Sequence, residues 1–96
     1  MDGPVGLSRA LGHVRNAASA LFAVDDPSSE CLFLAAECLD LEGLFTELGV
    51  APEFVDERLD AAESLSRASA LLEEIRPEVP PAVWVAVDSL RTRAAR

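Results

Sequence analysis

The chain has 96 residues, a formal net charge of −9 and a composition that is half hydrophobic. At that length it makes one small domain, residues 1–96, burying roughly 60 to 65% of the surface that its unfolded chain exposes. The acidic balance argues against direct nucleic-acid binding, which needs clustered cations to displace counterions, and no run approaches the roughly 18 apolar residues of a membrane span.

The hydrophobic residues are mainly Ala and Leu, with four Phe, one Trp and no Tyr. Ala and Leu lose least on entering a helix, so the expected class is all-α, a small antiparallel bundle of four helices. Between Asp25 and Glu78, fifteen acidic residues oppose only Arg58, Arg67 and Arg76, while both flanks are mildly basic. All eight basic residues are Arg, which with the Ala content points to a GC-rich, bacterial coding sequence. Two cysteines without an apolar signal segment fit a reducing cytoplasm better than a disulfide scaffold.

The first helix is expected over residues 5–24. Leu7, Leu11, Val14, Ala18 and Leu21 recur at steps of four and three, which lays one apolar stripe along the helix. Gly12 costs about 1 kcal/mol relative to Ala in a helix interior, so it is either a weakness or a point where another helix approaches closely.

Turn chemistry at residues 25–29 leads into a second helix over 27–48. Asp26 is its expected cap, Pro27 occupies its first position, and Gly49 stops it. This helix is nearly all apolar and the other segments are expected to cover it. A third helix is expected over 52–75, with Pro52 in its first turn and a stripe through Phe54, Ala61, Leu65, Ala68, Leu72 and Ile75. A connection of only about three residues would make the second and third helices an antiparallel hairpin. Pro77, Pro80 and Pro81 then break the chain. The last helix is expected over 81–95 on Val83, Val87, Leu90 and Ala94. A helix is preferred to a strand at residues 82–87, because a lone strand would find no pairing partner.

Few residues offer chemistry. His13 is the only histidine, one turn from Arg9; the pair permits a small RNase-like toxin reading, although a boundary histidine is the plainer one. Cys31 and Cys38 lie seven residues apart, roughly 10 Å along one helix, too far to bond and not at metal-ligand spacing. The helical carboxylates lack the Glu-x-x-His step of di-metal bundles, so no metal or other cofactor is expected. Neither a phosphate-cradling glycine loop nor a G-x-S-x-G nucleophile turn is present, and no catalytic residue is assigned.

Glu42 falls inside the apolar arc of the second helix and Arg58 inside that of the third. Either both snorkel to the rim or they form a semi-buried pair across the hairpin, because a lone desolvated charge costs several kcal/mol. Phe33 and Leu44 lie outside the main arc of the second helix, and Trp84 a quarter turn from the stripe of the last. These three are the interface candidates. The resulting expectation is a non-enzymatic helical interaction or accessory protein, self-associating as a dimer or binding another protein. The alternatives are the Arg9/His13 enzyme and an acidic antitoxin or immunity protein that neutralises a basic partner.

Overall fold

A computed structural model describes residues 5–55 and 59–95. It contains four α-helices, α1 (Val5–Phe22), α2 (Ser29–Glu47), α3 (Ala61–Glu74) and α4 (Pro81–Ala94), with a 3-10 turn at Arg76–Glu78. No strand occurs among the described residues, and residues 82–87 are helical.

The stripe of α1 is buried as its spacing requires: Leu7, Leu11, Val14, Ala18 and Leu21 all lie in the core, with Ala10 and Ala17 fully enclosed. α1 packs against both α2 and α3, and α4 packs against α3 and, along a thinner seam, against α2. Around the bundle the order is therefore α1, α2, α4, α3, which sets α2 and α3 on a diagonal. The expected hairpin of the second and third helices is not formed. Phe45, Leu41 and Cys38 from α2, Leu65 and Leu72 from α3, and Val83, Val87 and Leu90 from α4 complete the core.

The helix boundaries follow from local chemistry. Asp26 does not cap α2; it takes φ +51, a left-handed turn that Asp tolerates better than most residues. The cap falls to Ser28, whose hydroxyl accepts from the Cys31 amide at 3.1 Å. At the other end Gly49 has φ +79; its amide bonds to the Thr46 carbonyl and the Val50 amide to the Phe45 carbonyl. That double closure is the Schellman arrangement, and it stops α2 where a glycine was expected to stop it.

The third helix begins nine residues later than expected, at Ala61 instead of residue 52. Its cap is Asp60, whose carboxylate accepts from the Glu63 amide at 2.8 Å. Asp60-Ala61-Ala62-Glu63 has the D-x-x-E spacing of a helix start, a stronger signal than Pro52. Residues 53–55 lie as a strap across α1. The Glu53 amide bonds to the Ser8 carbonyl at 3.0 Å, and the Asn16 side chain donates to the Val55 carbonyl. The strap crosses at Gly12, where a β-carbon would sit 2.2 Å from the Glu53 carbonyl oxygen and 2.7 Å from Val55 Cγ2. Gly12 therefore does mark a close approach, by an extended segment and not by a helix. Phe54, placed by its spacing in the third helical stripe, is instead 86% exposed.

Helix propensity and this crossing make opposite forecasts for Gly12→Ala: a gain of about 1 kcal/mol from the helix, or a loss of about 2 kcal/mol from overpacking. The backbone oxygen at 2.2 Å decides for the loss, and urea unfolding measures it. Ser64 should respond with the opposite sign. Its side chain is fully buried and its hydroxyl has no hydrogen-bond partner among the described residues, so Ser64→Ala should raise stability by about 1 kcal/mol.

Candidate functional site

α2 is apolar on nearly every side, yet it has neighbours along only part of its circumference. Leu34, Ala35, Cys38, Leu41 and Phe45 are turned into the bundle. At 100° per residue, Ala36, Asp40, Gly43 and Glu47 form the opposite line, and all four are exposed. Leu32 and Leu39, each about half exposed, flank this line on the side nearer Ala35. Phe33, at 65%, and Leu44 flank it on the side nearer Leu41. The face is thus a shallow channel of small and acidic residues between two apolar ridges.

Phe33 and Leu44 belong to this face as their positions suggested. Leu39 is turned outward because α1 covers α2 only as far as Ala35. Trp84 is not part of the face. It is half-buried at the seam of α3 and α4, with the Arg76 guanidinium 4.2 Å from its ring centroid; Ser69, Leu72, Glu73 and Asp88 complete that pocket of about 220 Å³.

Beside the Leu44 ridge, the thin seam between α2 and α4 opens into a groove of about 340 Å³ with Leu41, Leu44, Ala86 and Leu90 among its walls. Arg93 clasps one end of it. Its guanidinium reaches Glu37 and, at 3.6 Å, Glu30. In the sequence Arg93 reads only as a cation suited to a helix C-terminus; its cross-helix role needs the three-dimensional pairing of α4 with α2.

Glu42 pairs with Arg15 of α1, Nε to Oε1 at 3.2 Å. The expected partner Arg58 lies outside the described residues. The Glu42 side chain is about one-fifth exposed and that of Arg15 more than half. Burial pushes the Glu42 carboxyl above its usual value, and the Arg15 charge offsets this only in part. Cys38, fully enclosed one turn away, has its thiol pushed up to about 11 by burial, with Glu42 and Glu37 adding to the rise. Such a thiol is an inert packing group at neutral pH. Cys31 is partly exposed, and its thiol donates to the Leu21 carbonyl at 3.4 Å.

Arg9 and His13 line a shallow depression on α1 with Arg67, Ala70 and Leu71. His13 is only 3% exposed, while Arg9 points outward and approaches Glu53 at 4.0 Å. Among the described residues no three His, Cys, Asp or Glu side chains converge into a metal-ligand set, and no helix is long and apolar enough to cross a membrane. Comparison of the chain with models of protein families, with characterised proteins and with solved structures finds no match.

The Glu42 carboxyl supplies a pH test. A raised folded-state value means that the folded protein holds this proton more tightly than the unfolded chain does. Stability should therefore fall as pH rises from the ordinary glutamate value of 4.5 through the raised one. Glu42→Gln removes that slope. At neutral pH the variant should be at least as stable as the parent, because the Arg15 left behind is well hydrated; thermal melts at pH 4.5 and 7.5 compare the two. A large loss at pH 7.5 would show that the ion pair outweighs the burial of its carboxylate.

Proposed function

We propose that this chain is a non-enzymatic helical interaction protein that docks a helix of another polypeptide on the outer face of α2. The observation that carries this reading is the exposure of Leu32, Phe33, Leu39 and Leu44 on one side of a single helix. Together the two ridges expose on the order of 400 Å² of side chain, within the range of about 300 to 600 Å² of the largest apolar patch on an ordinary monomer, a patch that is often functional. A helix that is hydrophobic all round is normally buried all round; here the chain has covered one half and left the other for a partner.

The remaining features fit that role. Asp40 and Glu47 keep the face soluble while it is empty, and the adjoining groove is walled in part by Leu41, Leu44, Ala86 and Leu90. The two free thiols suit a reducing setting such as the cytoplasm. Arg9 and His13 share a depression with Arg67, but the imidazole is packed away, which weighs against an RNase-like reading.

Phe33→Ser combined with Leu39→Ser tests the proposal. Both positions are exposed, so circular dichroism and melting temperature should hardly change. Each buried apolar side chain contributes roughly 1.5 to 3 kcal/mol, so partner affinity should drop by at least about a hundredfold. The comparison uses parent and variant as parallel baits, with light scattering for self-association. A partner or dimer retained equally by both proteins would sink the reading.

A further inference from the structure

The occupant of the α2 face, on the docking reading just given, can be narrowed by charge. α2 carries Glu30, Glu37, Asp40, Glu42 and Glu47 and no basic residue. Glu42 is held by Arg15, and Glu30 and Glu37 by Arg93. Asp40 and Glu47 have no cationic partner among the described residues. These two lie on the exposed side of α2, two turns or about 10 Å apart, with Asp40 also bordering the α2–α4 groove that Arg93 lines. Between them is Gly43, where even an added β-carbon would meet nothing within 4 Å, so an incoming side chain has room to settle into the channel.

A second copy of this chain fits the ridges but not the charge. In a parallel pair a two-fold axis running along the face sets Asp40 beside its own mate, and in an antiparallel pair an axis crossing the middle of the face, between Ala36 and Gly43, does the same. It also brings together two bodies of net charge −9. Like charges opposed at the centre of an interface suppress association, whereas opposite charges there set register and speed encounter.

We propose that the α2 face binds a cationic amphipathic helix, whose apolar side chains pack against the Leu32–Leu39 and Phe33–Leu44 ridges. Its Lys or Arg side chains, about two turns apart, reach Asp40 and Glu47. Arg is the better fit at the Gly43 gap, because its long stem packs on apolar surface while its head group meets the carboxylates.

The test uses two labelled peptides of about 18 residues, patterned as amphipathic helices with one shared Leu face and either Lys or Glu opposite it. Fluorescence anisotropy reads their binding to the full chain. The Lys peptide should bind and the Glu peptide should not. Asp40→Asn with Glu47→Gln should weaken the Lys peptide by about fivefold. Glu74→Gln with Glu78→Gln, the same charge change on exposed residues elsewhere, should leave it unaltered. Raising the salt from about 0.05 to 0.5 M should weaken the parent complex and narrow its difference from the Asp40/Glu47 variant.

Equal weakening by both charge variants would overturn the proposal, since it would show attraction to the acidic body as a whole. Binding of the Glu peptide would overturn it as well. A salt-insensitive dimer that blocks the peptide and is lost in the Phe33/Leu39 double variant would make a second copy the occupant, refuting the cationic helix while leaving the docking reading intact. Indifference of both peptide binding and self-association to the Phe33/Leu39 change would instead remove the docking reading itself.

Discussion

Everything in the bundle depends on how closely α1 can be approached. Its buried positions alternate larger side chains, Leu7, Leu11, Val14 and Leu21, with Ala10, Gly12, Ala17 and Ala18, so three different segments lie against it: α2, α3 and the strap of residues 53–55. The small residues reduce the distance and the larger ones supply the contact, as close-packed interiors require. Because α1 takes α2 on one flank and α3 on the other, α4 must close the remaining side. The exposed face of α2 is what that arrangement leaves over.

The placement of charge follows the same logic. Carboxylates near the edges of α2 are met across helix seams, Glu42 by Arg15 and both Glu30 and Glu37 by Arg93, so the two helices beside α2 each hold it through an arginine. Exposed pairs of this kind add little net stability, but they do specify which helix lies next to which. Asp40 and Glu47 have no such partner among the described residues, although Asp40 lines the groove between α2 and α4. The contrast between matched and unmatched carboxylates on one helix separates its inward edges from its outward face more sharply than hydropathy, which is nearly uniform around it.

Much of the fold is legible before any coordinates. The stripes of α1 and α4, the stop at Gly49, the proline break after α3 and the helical state of residues 82–87 all follow from spacing and from residue chemistry that acts within a few positions. What is not legible is the strap. Pro52 and Glu53 carry ordinary helix-start chemistry, but the contact of Glu53 and Val55 with α1, forty residues away in sequence, outweighs the local preference, and Asp60 offers a better cap further on. The pairing of helices has the same cause: a three-residue connection would have forced a hairpin of α2 and α3, whereas the longer one lets them take diagonal corners. At the candidate site, Phe33 and Leu44 were readable as outliers on the wheel. The exposure of Leu32 and Leu39 was not, because it depends on how far α1 and α4 reach around α2.

The diagonal placement of α2 and α3 also bears on how the chain assembles. The most extensive helix contact joins α1 to α3, elements separated by the whole of α2 and the strap. A bundle of successive hairpins gathers its contacts locally and quickly, whereas here a loop of about forty residues must close before the central packing forms, and closure entropy weighs directly on the rate. Seating residues 53–55 over Gly12 is itself a closure of about forty residues, and it leaves Ala61 only a few residues from its place beside α1, so the strap contact and the α1–α3 packing share one long closure. Gly12, where a single added carbon has no room, is thus a point through which the topology itself is reached.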